Sequence, residues 1–306
     1  MINTLEFKAM GCHMFVALDL PEDQHVELGQ IPGWFETWEQ SLSRFRETSE
    51  LNQLNRSAGA PFQLSETLWE VLRESLTSEQ LSHGLVTPAI LDALVMAGYD
   101  RSFDQLKTSP SELPSNPLDP AGILSGVQLN EATRTVCLPI GLHLDFGGIA
   151  KGWAAGQATL RLSAFGPALV NAGGDISISG PQSNGEAWPI GITDPFDPDS
   201  SLEVILIERG SVATSGKDYR RWQRDGVWQH HIIDPRTGMP AQTDVLTATV
   251  IAPSAVEAEV AAKVVLISGS QSGLQWLDAY PTLAGMLVLE DGRHLYSERM
   301  SEYIRS

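Results

Sequence analysis

The chain has 306 residues, 42% of them hydrophobic, and a net charge of -18 at pH 7. That length and composition support one large domain or two closely packed ones with a sizeable core. The acidic balance argues against a nucleic-acid binder, which needs a basic stripe. No apolar run is long enough to span a bilayer. The first six residues, Met1-Ile2-Asn3-Thr4-Leu5-Glu6, carry neither a basic n-region nor an apolar h-region, and a cytoplasmic setting is the expectation. Cys12 and Cys137 are the two cysteines, so no disulfide framework is implied.

In chain order, residues 5–7 and 14–20 read as strands joined at Met10-Gly11. Residues 32–43 place Trp34, Phe35, Trp38 and Leu42 at helical spacing. Leu42-Ser43-Arg44-Phe45-Arg46 follows, and Phe45 is either packing for the helix end or a ligand contact. Residues 65–82 form an amphipathic helix with Ser65 as N-cap. Gly84-Leu85-Val86-Thr87-Pro88 breaks the chain before a helix over 89–97. The proline- and serine-rich stretch 108–122 reads as a surface excursion. Residues 126–129 and 135–139 flank a turn as a hairpin.

Residues 142–144 then read as the end of a strand, followed by Asp145-Phe146-Gly147-Gly148-Ile149-Ala150-Lys151 and a helix over 154–162. A strand, a glycine turn and a helix start expose backbone N–H groups to an anion. Lys151 sits in the first helical turn, where a cation opposes the helix dipole. Either an anionic ligand offsets it, or this is a tight turn with a solvated lysine.

Residues 168–171 read as a buried strand ending at Ala172-Gly173-Gly174-Asp175, where Asp175 is a site carboxylate or a cap on the turn. Strands are expected over 176–179, 188–192, 204–208 and 211–214, the last leading into Thr214-Ser215-Gly216. A turn at Asp225-Gly226 precedes Gln229-His230-His231-Ile232-Ile233-Asp234-Pro235. Adjacent histidines on a strand point to opposite faces, which disfavours a shared zinc ion. A strand over 247–252, a helix over 255–267 and strands over 284–289 and 294–296 complete the chain.

Taken together and in this order, Met10-Gly11, the Asp145–Lys151 stretch, Asn171–Asp175, Thr214–Gly216 and His231–Gly238 resemble the FAD:protein FMN transferases, the ApbE-like flavin transferases. The resemblance runs from about residue 10 to residue 269. With the alternation of strands and helices, it implies an α+β fold of mixed, mostly antiparallel sheets flanked by helices. The expected organisation is a single domain of two intimately packed lobes, 1–140 and 141–306, with the cofactor between them. Members of the family transfer the FMN part of FAD, through a phosphoester bond, to a Ser/Thr hydroxyl of a target flavoprotein and release AMP. FAD pyrophosphate hydrolysis and non-catalytic FAD binding are the alternatives.

The resemblance also implies roles. Met10 and Phe45 would pack against flavin or adenine. Leu85, Val86 and Thr87 form the loop that touches the cofactor, although Thr87 stands where the family carries an acidic or amide residue. Asp145 and Lys151 would contact FAD, with Lys151 near the pyrophosphate, while Asp175, Ser215 and Ile233 would line the site. Asp145 is a candidate base for the acceptor hydroxyl, and His231 is another candidate or a structural residue. Magnesium ligands would come from the Gly148 carbonyl and from two late-helix positions, here Glu259 and Lys263. The family carries Asp and Thr at those two positions. Three readings stay open: Glu259 binds magnesium while Lys263 holds phosphate; the Lys263 ammonium replaces the metal; or the two form an ordinary helix pair worth roughly 0.2–0.5 kcal/mol.

Overall fold

The computed structural model describes residues 1–21, 26–108, 124–224 and 226–304. It divides into two compact units, one made of residues 1–35, 151–218 and 243–306, the other of 36–150 and 219–242. The chain passes between them four times.

The first unit is built on an eight-stranded sheet. Its order is Ile2–Ala9, Cys12–Asp19, Ala168–Ala172, Asp175–Ile178, Gly210–Gly216, Val245–Ala252, Ala284–Leu289 and His294–Tyr296. Every pairing in it is antiparallel. Two tight turns define one end of this sheet. Ala9 pairs with Cys12, leaving Met10 and Gly11 as a two-residue loop with φ of 49° and 69°. Ala172 pairs with Asp175, leaving Gly173 and Gly174 with φ of 65° and 100°. Positive φ at both central residues matches the right-handed twist of the flanking strands. Glycine is required at 173 for a second reason: a Cβ there would lie 2.7 Å from Cys12 Sγ.

Helix Ala255–Ser268 packs on the strands Gly210–Gly216 and Val245–Ala252. Ser254 caps it, and the reciprocal Glu257 bond completes a capping box. The other face of the sheet is covered by the hairpin Trp188–Thr193 with Ser201–Ile207. Trp188, Ile190 and Ile192 alternate inward and join Ile178, Val212 and Met286 in one apolar cluster.

The second unit carries the helices Glu50–Arg56, Glu66–Leu81, Leu91–Met96 and Phe103–Thr108, with most of Ile31–Leu42. Ser65 caps Glu66–Leu81 as its sequence position indicates, accepting the Leu68 N–H. A three-stranded sheet, Pro61–Gln63, Thr135–Cys137 and Gln128–Asn130, contains the expected hairpin. The α+β class with antiparallel sheets is as the sequence indicates.

Three local expectations change. Residues 142–144 are not a strand: the Leu144 N–H donates to Asn55 Oδ1 at 2.8 Å, and Asn55 Nδ2 donates to the Leu144 carbonyl at 2.9 Å. One buried amide side chain satisfies the backbone groups that a neighbouring strand would otherwise pair. Residues 229–235 are not continuous either, because the strand Val227–His230 ends before Ile233–Asp234 begins. The His230 ring interrupts the run by accepting the Ile232 N–H at Nδ1, 3.3 Å away. The helix expected over 89–97 is limited to Leu91–Met96. The excursion 108–122, apart from Thr108, and Asp225 of the expected turn lie outside the described residues.

Candidate functional site

The sheet unit gathers several of the expected residues by register alone. Met10, Asp175 and Ser215 all fall at the end of the sheet defined by the two tight turns. Ser215 is buried opposite Ala248. Helix Ala150–Leu162 brings Lys151 to one of these, Asp175, and to Glu259: its ammonium donates to Asp175 Oδ2 and lies 3.4 Å from Glu259 Oε1.

Gly152 is the reason the two helices can meet here. A Cβ on it would sit 2.8 Å from the Ala255 carbonyl and 2.8 Å from Glu259 Oε2. Its N–H, one of the orphan donors of a helix start, donates to Glu259 Oε2 at 3.0 Å. Lys263, one turn along from Glu259, donates to Glu259 Oε1 at 3.0 Å. Four charged side chains, Lys151, Lys263, Asp175 and Glu259, therefore form one neutral cluster. The unfavourable position of Lys151 in a first helical turn is offset by carboxylates of the chain itself.

The electrostatics follow from burial and from the sharing of cations. Burial opposes the charge on Lys151, but Asp175 and Glu259 outweigh it and hold the ammonium above its ordinary pKa. Asp175 is pushed up to about 6 by burial and by the Glu259 charge, against the pull of Lys151 and Lys263. For Glu259, burial is overcome by Lys151, Lys263 and the Gly152 N–H, which hold its carboxyl below the usual range. The two carboxylates separate because Glu259 collects both lysines and an amide, whereas Asp175 has Lys151.

This arrangement does not fit a magnesium ion. Magnesium needs free carboxylate oxygens in near-octahedral geometry. Here one Glu259 oxygen is bonded to an ammonium and the other to a backbone amide. Among the described residues, no group of three or more His, Cys, Asp or Glu side chains is arranged to hold a metal.

The helical unit holds a second cluster. Asp145 Oδ1 accepts the Gly147 N–H at 2.8 Å, and its Oδ2 is 2.7 Å from Arg44 Nε. The Asp145 N–H in turn donates to the Pro88 carbonyl at 2.8 Å, tying the glycine turn to the loop 85–88. Gly148 is half-buried in that turn. The Arg44 guanidinium lies 4.1 Å from the Phe45 ring centroid and 4.5 Å from that of Tyr99. Phe45 is exposed. Within the 85–88 loop, Leu85 is half-buried and Val86 buried. The Thr87 hydroxyl donates to Glu79 and accepts the Ala89 N–H, so it fixes the loop.

Ile233 is buried at 2% exposure among Leu94, Tyr99 and Trp222, and Asp234 closes the following turn with Arg236. His231 is half-buried in the bend between the two short strands. Its neighbour His230 is engaged with the backbone through both ring nitrogens.

Sequence reasoning missed Arg44, Tyr99 and Gly152. For Arg44 a signal was present, a cation beside Phe45 in a chain poor in cations. For Tyr99 and Gly152 no local pattern marks the role, since both act through partners distant in sequence.

Comparison with known proteins identifies relatives along nearly the whole chain. The ApbE family profile matches residues 10–287. A protein of Treponema pallidum named FAD:protein FMN transferase is 30% identical over 300 residues, spanning 92% of this chain and 82% of the relative. A Vibrio cholerae protein of the same name is 28% identical over 82% of this chain and 75% of its own length. Among solved structures, the ApbE protein of Thermotoga maritima superposes with a TM-score of 0.86 at 24% identity, covering all of both chains. The Pseudomonas stutzeri flavinyl transferase ApbE, apo form, superposes with a TM-score of 0.83 at 21% identity, covering 99% of this chain and 96% of that one.

Proposed function

The chain belongs to the ApbE family, and on that premise we propose that it moves the FMN half of FAD onto a serine or threonine hydroxyl of a partner flavoprotein, releasing AMP. In the step, the acceptor O–H bond breaks and its oxygen bonds to the FMN-side phosphorus. The bridging P–O bond breaks, its electron pair leaving with the oxygen on AMP. The hydroxyl proton passes to a base.

The observation that carries this reading is the position of Lys151. It lies just beyond the Gly147-Gly148 turn, at the end of the sheet with the Gly173-Gly174 turn, as a cation tied to two buried carboxylates. Such a group meets the central demand of phosphoryl transfer, neutralising charge on the pyrophosphate while the hydroxyl is aligned. Met10 and the exposed ring of Phe45 are assigned to the ring systems of FAD. Leu85, Val86, Thr87, Asp175, Ser215 and Ile233 are assigned to the walls of the site. The acceptor proton is assigned to His231 or to Asp145, the latter only on release from Arg44 and the Gly147 N–H, which hold its two oxygens. With Glu259 and Lys263 bonded to each other, no magnesium ligand set remains for the Gly148 carbonyl to complete. In this reading charge neutralisation falls to the lysines. Among the described residues no helix is long and apolar enough to cross a membrane. Cys12 and Cys137, neither of them in a disulfide, support a cytoplasmic setting.

Incubation of the full chain with FAD and an acceptor protein bearing a Ser/Thr flavinylation segment tests the reading. The expected result is covalent FMN on the acceptor with stoichiometric AMP. AMP without covalent flavin means hydrolysis in place of transfer, and bound FAD with neither product means a binding protein.

A further inference from the structure

The charge cluster of the sheet unit is layered by sign. The Asp175 and Glu259 side chains are 2% and 1% exposed, while those of Lys151 and Lys263 are 16% and 15% exposed. A species arriving from solvent therefore meets the lysine side chains before the carboxylates. That is the arrangement of an anion site. A divalent cation reaching Glu259 would have to displace Lys263 from Oε1 or the Gly152 N–H from Oε2.

A surface Glu–Lys pair one helical turn apart stabilises little and has no need to be anything more. This pair is different because the carboxylate is sealed. Removing a cation from a buried anion is costly, so Lys263 is held where it is until another charge re-partners it. An ammonium on a flexible stem has three donors and can keep one on Glu259 while turning another towards a phosphate oxygen.

We propose that Lys263 is the resident cation of this site: its ammonium occupies the place on Glu259 that a divalent ion would need, and with Lys151 it meets the pyrophosphate diester of FAD, so that FAD uptake requires no divalent metal. This rests on the FAD reading above and specifies which charges receive the pyrophosphate. Lys263 brings one positive charge where a divalent ion would bring two.

Calorimetric titration of the full chain with FAD, in EDTA and in millimolar magnesium, tests the proposal. Wild type is expected to bind FAD with the same Kd, within about twofold, in both conditions. Lys263→Gln removes the charge at similar length and should weaken binding about tenfold or more in EDTA. Lys263→Arg should keep binding indifferent to EDTA, and its Kd separates loss of charge from loss of fold. A manganese titration of wild type with FAD present, followed by electron paramagnetic resonance, should find no stoichiometric bound ion. Three results would overturn the proposal: wild-type binding that vanishes in EDTA and returns with magnesium, one tightly held manganese ion per chain, or Lys263→Gln binding as tightly as wild type. In each of these wild type still binds FAD in at least one condition, so only the role of Lys263 is removed. Absence of FAD binding by wild type in both conditions would remove the functional reading and this inference together.

Discussion

Asp145 in the helical unit and the Asp175–Glu259 pair in the sheet unit are all buried carboxylates, yet they are neutralised by different chemistry. Asp145 is held by an arginine that stacks on Phe45 and Tyr99, and by the N–H of its own turn. The guanidinium is planar, permanently charged and fixed by its aromatic neighbours, so Asp145 is locked into shaping the turn. Asp175 and Glu259 share Lys151, and Glu259 also holds Lys263; both lysines are point charges on flexible stems. That cluster can exchange partners without breaking a backbone element. Proximity in a motif therefore does not imply a shared role. Asp145 builds the turn, and Lys151, six positions on, is tied to Asp175 and Glu259.

Removing cations from the two clusters should separate them. Lys151→Ala is expected to have the largest effect, because it leaves two buried carboxylates with Lys263 as their remaining ammonium. Unfolding in urea should show a loss of about 3–5 kcal/mol, and FAD uptake should fall below detection. A variant that kept wild-type stability and FAD affinity would erase the distinction between the clusters. Arg44→Lys should cost less, about 2 kcal/mol, since it keeps the charge but loses the planar stacking on both rings. Its signature is reduced stability with FAD affinity changed less than in Lys151→Ala.

The smallest effect is a slope. Asp175 titrates near 6 in the folded chain against 3.8 for the free side chain, because burial and Glu259 favour its neutral form. Its contribution to stability is therefore fully present below pH 3.8 and is lost as pH rises through about 6. Glu259, with its pKa lowered, contributes with the opposite sign: its stabilisation is present above pH 4.5 and lost as pH falls through its folded value. Comparing wild type with Asp175→Asn in urea at steps between those values isolates the contribution of Asp175. The asparagine variant should lack a downward slope of at most about 1.4 kcal/mol per pH unit.

Much of the fold was legible because its elements carry strong local signals. The strands Ala284–Leu289 and His294–Tyr296 match their expected bounds, and Ser65 marks its helix start. The strand expected at 142–144 failed for a reason no periodicity could reveal. Asn55, 89 residues away, supplies the hydrogen bonds of a missing neighbour. In the candidate site, the glycine turns announced themselves through Gly147-Gly148 and Gly173-Gly174. The surroundings of Glu259 and Lys263 did not: their spacing fits a plain surface pair equally well, and the burial of Glu259 against Gly152 is set by folding. Arg44 was invisible as a partner of Asp145 because the two are joined by folding and not by spacing.

Met10 occupies a left-handed backbone position in a turn whose geometry favours asparagine followed by glycine. A laboratory lineage selected for heat tolerance alone should drift towards asparagine or glycine there, relieving the torsional cost. One selected for flavin chemistry as well should retain the thioether. The identity of that single residue would then record which pressure a population had experienced.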